Sequence, residues 1–502
     1  MAEHLYADTV VIGGGTAGAA VAARLVQGTS QTVLLVESGP DYGAFAEQRW
    51  PAQLLDARSL PSGHDWHYVN GASTGRPEHP LERARVIGGC SSHNGCAAIW
   101  GSRVDYDNWA ALGNMEWWSA DVLLPFFKIA NETLRVKRIS NSEITPWQQA
   151  CLDAAPKIGI PQVADLNDLD EDIGMSTSPV NIVDGVRWNA AFAYLDPLRG
   201  NDRLTIRGQM QVDRLRMEGT RVIALEVIGP DGPLTVEAGR VVVCAGTYGS
   251  PAILLRSGIG PASELNAFGI ETKLDLPVGR NLHDHPAVYL KYSGTSQLEA
   301  AMKDFAAKGG VLFSEQTIAK FRSKYCTTAY DLHLFPVGGQ FIEGADDWEF
   351  LLPVANMIPL SRGSVQLTSA DPFATLKIDT AYLSDPHGHD LAILWNGIEL
   401  VRDYARQVPL ANLIGEEISP TVNYKTPEDV RRDNLHYYHA VGTCKMGPES
   451  DPTAVVDTHG KVHGVDNLYV ADASIMPVVP RANTNIPALV VGERISAWLT
   501  QA

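Results

Sequence analysis

The apolar pattern changes period several times along the chain. Val10–Ile12 is a short β-branched run, Gly13, Gly15 and Gly18 follow, and Ala19–Leu25 carries small apolar residues. This order predicts a buried strand, a tight turn and a helix packed closely on the strand. Thr32–Glu37 (TVLLVE) predicts a second buried strand that ends in an acid. The next strong buried strand is Arg240–Gly246 (RVVVCAG), leading into a helix expected to open at Ser250-Pro251 and close at Gly258. A third piece, Asn467–Pro477 (NLYVADASIMP), places Asp472 at a strand end. The middle of the chain, near 287–425, alternates at period two in TTAYDLHLFPV, GSVQLTS and ATLKIDT, with helical spacing at 390–407. It predicts an antiparallel sheet backed by helices.

The first segment carries specific chemistry. Gly13, Gly15 and Gly18 form GxGxxG between two strands. The first glycine allows the turn, the second a close backbone approach to a pyrophosphate, and the third close helix–strand packing. The helix N-terminus then faces the phosphates. Glu37, 24 positions after Gly13, stands near the spacing expected of a ribose hydroxyl ligand. An acid there disfavours a 2′-phosphate, so FAD or NAD is expected rather than NADP.

Composition narrows the class. The chain has 502 residues and a formal charge of −18; its length suits two packed domains. An acidic surface disfavours nucleic acid, which needs a basic footprint. No secretory leader or membrane span is read, so a cytoplasmic protein with no membrane partner is expected, as monomer or homo-oligomer. The six cysteines show no paired metal spacing, and no metal is expected. The stretch GGCSSHNGCAAIW raises a separate question. By its residues alone His93 could be a structural hydrogen-bonder, a metal ligand, a base or a covalent anchor.

Four separated motifs coincide: VVIGGGTAGAAVAARL with LLVESG, RARVIGGCSSHNG, GTYGSPAILLRSGIGP, and YHAVGTCKMG followed by VHGVDNLYVADASIMPVVPRANTNIPALVVGERIS. LPVGRNLHDHP adds a connector. With these the sequence resembles the glucose–methanol–choline family of FAD-dependent oxidoreductases across nearly its whole length, most weakly at 130–165 and 290–350. The resemblance implies an α/β fold in which a Rossmann-like FAD-binding domain is assembled from discontinuous segments (1–136, 201–286 and 426–502). The substrate domain (137–200 and 287–425) would be the antiparallel sheet backed by helices. It also implies an alcohol oxidase: hydride passes from a small primary alcohol to flavin N5, an aldehyde forms, and O2 is reduced to H2O2. A dehydrogenase using a quinone or other acceptor is the alternative.

Carried over residue by residue, the resemblance makes His439 the base and Asn483 the group that orients the substrate oxygen. It assigns cofactor contacts to Gly13, Gly15, Thr16, Ala17, Gly18, Glu37, Ser38, Arg85, Gly88, Gly89, Ser92, His93, Asn94, Gly95, Val212, Ala245, Gly246, Asp472, Ala473, Asn485 and Ile486. It moves His93 toward a covalent tether for FAD, with a noncovalent packing histidine as the rival. His436 is expected to face away from His439. Tyr437, where choline-oxidising members carry a smaller aliphatic residue, is expected to narrow the pocket or to hydrogen-bond a substrate, and Trp66 or Phe335 is expected beside it. An aryl or furanic alcohol ranks first, a vitamin or amino-sugar alcohol second and choline third. Choline needs an aromatic or acidic cradle, which net charge does not reveal.

Overall fold

The computed structural model describes residues 5–71, 78–339, 348–418, 424–433 and 436–501. The first four residues, where the search for a leader begins, lie outside them. Strand β1 (Leu5–Ile12), helix α1 (Thr16–Gly28) and strand β2 (Val33–Val36) form the expected strand–turn–helix–strand unit. The helix starts at Thr16 and ends at Gly28, longer at both ends than the small-residue run suggests. Strand β3 (Gly232–Val243) lies beside β1 in parallel, with Val10 opposite Val241. Around this pair runs the sheet order Leu204–Arg207, β2, β1, β3, Arg221–Gly229, Gln211–Glu218, and Leu468–Val470 also pairs with β3. Val10, Val11, Val241 and Val242 are fully buried, as parallel strands covered on both faces require.

Helix α2 (Gly246–Arg256) opens four residues before the predicted Ser250-Pro251 start, so Pro251 lies inside it. Proline has no N–H for the carbonyl of Thr247, four residues back. The Thr443 hydroxyl donates to that carbonyl at 2.6 Å, and the Thr247 hydroxyl donates to Ala440 O at 2.7 Å. The proline thus frees an acceptor that ties α2 to the segment carrying His439.

A second sheet runs Ile414–Glu417, strand β4 (Ala287–Gly294), strand β5 (Glu349–Asn356), Leu332–Leu334, Thr317–Phe321 and Gly174–Thr177, all antiparallel. Helix α3 (His389–Ala405) packs on β5. Two strands expected in this sheet are elsewhere. Ser364–Gln366 and Lys377–Asp379 pair with each other and, through Ile378, with Asn70 in a separate small sheet. Period-two alternation marks a half-buried strand without naming its partner. Helix α4 (Asn485–Leu499) closes the chain against α1, with Gly492 so close that a Cβ would meet Ala17 O at 2.8 Å.

Candidate active site

The glycines of the first turn are fixed by what surrounds them. A Cβ on Gly13 would meet Cys244 O at 2.5 Å and one on Gly18 would meet Gly13 O at 1.9 Å. Gly88 N donates to Gly14 O at 2.7 Å, and a Cβ on Gly89 would meet Gly15 Cα at 2.6 Å. The two predicted glycine turns therefore touch each other. Thr16 Oγ1 donates to Asn485 Oδ1 at 3.1 Å, which joins the N-termini of α1 and α4. Asn485 Nδ2 is buried with no partner, a donor aimed at whatever fills the cleft.

Ser38, Arg85, Val212 and Ala245 line one cavity of about 170 Å3 with Gly13. Trp66 lines it too, under the Arg85 guanidinium at 4.8 Å. This corrects the expectation for Trp66, which belongs to the dinucleotide end and not beside Tyr437. Arg85 Nε and Gln211 Oε1 have no partner. Glu37 is pushed up to about 7 by burial and accepts from Gly14 N at 2.9 Å and Gly39 N at 2.8 Å. It braces the turn directly, beyond any contact with a ribose. Asp472 accepts from Gly246 N at 2.8 Å, Ser250 Oγ at 2.5 Å and Ser474 N at 2.8 Å. It caps α2 and presents that helix N-terminus, and Ala473 continues the same turn, its carbonyl accepting from Gly442 N at 3.2 Å.

The segment Gly89–Ser92 is a short helical turn capped by Gly88. Ser92 Oγ donates to Ile87 O at 3.0 Å, so its hydroxyl serves the turn. His93 follows, half-buried, with Nε2 against Gly63 O at 2.8 Å. Burial holds its imidazole below the ordinary value, and thus neutral at pH 7. Asn94 anchors Cys96 N at 3.1 Å and receives Arg187 Nε on its carbonyl at 2.7 Å. A Cβ on Gly95 would meet nothing within 4 Å, so the chain leaves room there. Ile486 is wholly buried in the core behind the cleft. Orphaned donors along the cleft, helix N-termini and glycine walls fit an elongated dinucleotide with a flat ring.

His439 and Asn483, 44 positions apart, meet: Asn483 Nδ2 lies 3.3 Å from His439 Nε2. Both are nearly buried. Their surroundings follow from local pairing. His283 and Val441 form an antiparallel bridge, which puts His285 opposite His439. Their Nδ1 atoms are 3.0 Å apart, and His439 N donates to Asp284 Oδ1 at 2.7 Å. With the amide as placed, Asn483 donates to Nε2, so the proton of His439 sits on Nδ1 and is donated to His285. Burial, then the neighbouring His285, His333 and Arg83, holds His439 well below the ordinary imidazole range; burial and Arg481 bring His285 down to about 3. Both rings are neutral at pH 7.

Tyr437 lies 4.2 Å from the His439 ring and stacks on Phe335 at 4.1 Å and 10°. Tyr438, at φ 65°, is exposed between two buried neighbours; a left-handed tyrosine is uncommon and marks a backbone held by its surroundings. His436 sits against His79 and Tyr438, away from His439. Sequence reasoning missed three groups. His285 was hidden in the HDHP connector. His333, with neither ring nitrogen partnered, was legible only as a lone polar residue in LHL. Glu315, a carboxyl with an unpartnered oxygen, lies in a loop with no pattern.

A parallel-cored sheet carrying a glycine-walled cleft, together with a buried histidine–asparagine pair, fits an oxidoreductase that uses a dinucleotide cofactor. Models of the GMC oxidoreductase family match residues 7–287 and 359–492. The chain belongs to that family and binds FAD. Choline oxidase from Arthrobacter globiformis is 32% identical, over 99% of this chain and 94% of that protein. Oxygen-dependent choline dehydrogenase from Rhizobium johnstonii is also 32% identical, over 98% and 95%. Pyridoxine 4-oxidase from Mesorbium loti superposes with a TM-score of 0.87 at 28% identity, covering 99% of each chain.

Proposed function

We propose that this protein oxidises a small primary alcohol, aryl, furanic or similar, to the aldehyde and passes the electrons to O2, giving H2O2. The observation that carries the reading is the His439–Asn483 pair at 3.3 Å, buried beside an aromatic shelf. Bound FAD supplies the acceptor for the hydride that leaves the alcohol carbon. The rest is done by the chain. Neutral His439 takes the hydroxyl proton on Nε2. Asn483 Nδ2 donates to the developing alkoxide. His285 accepts the Nδ1 hydrogen of His439 and so steadies the imidazolium that forms. Phe335 and Tyr437 exclude water. The names of choline oxidase and oxygen-dependent choline dehydrogenase support oxygen as acceptor. His93, neutral and beside the open Gly95, is proposed as a histidyl tether to the flavin.

Anaerobic mixing with a panel of alcohols tests the reading: the flavin absorbance is expected to bleach. His439→Ala should slow bleaching by about 10²–10⁴-fold with flavin still bound. A variant reduced near the wild-type rate removes His439 as the base. Peroxide yield against dye reduction in air tests the acceptor.

A further inference from the structure

Glu315 stands outside the work of His439 and Asn483. It faces Val337 in an isolated antiparallel bridge, and Gly338 N donates to Ser314 O at 3.0 Å. Directly opposed residues of an antiparallel pair project to the same face. Val337 packs against the cluster that contains Phe335 and Tyr437, and so does Tyr289. Tyr289 meets the Phe335 ring edge-on at 5.9 Å, so the shelf is walled on one side.

The Glu315 carboxyl is enclosed on that face. Its Oε1 is sealed from solvent with no hydrogen-bond partner, and no ion pair reaches it among the described residues. The residue as a whole is only half-buried. An unsatisfied buried polar group costs about 1–3 kcal/mol, which a bound partner would recover. When ionised, it would push up Tyr437, Tyr289 and Cys96, so all three lie within its electrostatic reach. Burial pushes its carboxyl up to about 8. At pH 7 it is a proton donor.

We infer that Glu315 recognises the far end of the substrate, and that the substrate is an aromatic alcohol with a basic ring nitrogen. The ring lies on the Phe335–Tyr437 shelf, the hydroxymethyl group reaches His439 and Asn483, and the nitrogen meets Glu315. The protonated carboxyl donates a hydrogen bond to the ring nitrogen, and no covalent bond changes. This inference rests on the alcohol-oxidising reading above. An uncharged acid with a hydrogen to donate favours such a ring over its carbocyclic analogue, because a site built for a polar partner rejects a ligand lacking it. Flat stacking favours the ring over an aliphatic ammonium alcohol.

The test uses the flavin-loaded full chain with benzyl alcohol, the three isomers of pyridinemethanol, and choline. At least one pyridinemethanol isomer is expected to exceed benzyl alcohol tenfold or more in kcat/KM. Glu315→Gln and Glu315→Leu should bring that ratio below threefold. A smaller wild-type preference for every isomer, a ratio retained in both variants, or choline outrunning all three isomers overturns the inference. If the variants lose flavin, the wild type decides: 3-methylpyridine should compete with the alcohol at least tenfold better than toluene, and equal competition overturns the inference. Bleaching by benzyl alcohol without any nitrogen preference defeats this inference alone. No bleaching by any alcohol defeats the reading beneath it.

Discussion

His439 is held neutral by burial first and by its charged and imidazole neighbours second, so it is free to accept a proton at pH values where an exposed imidazole would already be charged. In the proposed reaction this makes His439 a weak resting base, and the contacts from Asn483 and His285 would act as charge develops. His93 stands differently. Its ring is neutral by burial, and Gly63 O engages one nitrogen, which leaves the other free for a bond to carbon. Acid-precipitated protein is therefore expected to stay yellow, with peptide mass mapping placing the flavin on His93; a colourless pellet from fully loaded protein would rule the tether out. At this scale motifs were enough to single out His439 and Asn483, whose side chains the fold brings together. The sequence was silent on Glu315 and ambiguous on Trp66, because a side chain's neighbours depend on strands far away in the chain.

Among elements, the junction of β1, α1 and β3 has the least slack. A Cβ on Gly18 would sit 1.9 Å from Gly13 O, and backbone cannot step aside as a flexible side chain can. Gly18→Ala should push α1 off the sheet and destabilise the protein by about 2–3 kcal/mol. It should also lower the flavin-to-protein ratio after gel filtration well below wild type. A urea midpoint and flavin content equal to wild type would show that the helix tolerates the methyl group. The nucleotide unit was legible because one local pattern specifies strand, turn and helix together. The start of α2 was misread because Pro251 usually marks a first turn, and its lost hydrogen bond is taken up by Thr443 from 192 positions away. The two short strands at 364–366 and 377–379 were recognisable as strands, yet their partner Asn70 lies outside any local signal.

Across the whole molecule, buried titratable groups pull stability in opposite directions with pH. His285 and His436 are held at about 3, and His283, His333 and His439 also lie well below 6.5. Below pH 6.5 the unfolded chain binds protons that the fold refuses, so stability falls as pH drops from there toward 3. Glu37 and Glu315, raised to about 7 and 8 from 4.5, act the other way. Between pH 4.5 and 8 the fold keeps protons that the unfolded chain has released, so their contribution declines as pH rises through that window. Melting temperature against pH should pass through a maximum, and Glu315→Gln should flatten its alkaline limb. An unchanged limb would mean that the carboxyl is not proton-bearing in the fold.

The pairing of β1 with β3 and of α1 with α4 has a consequence for the growing chain. On the ribosome, β1 waits more than two hundred residues for its central neighbour, and α1 waits longer still for its covering helix. Until then an apolar strand edge and a bare helix face are open to other chains. Thr16 likewise meets Asn485 only after a further 469 positions have been made. Cofactor capture therefore waits for α4, and until then the nascent chain is in its most aggregation-prone form.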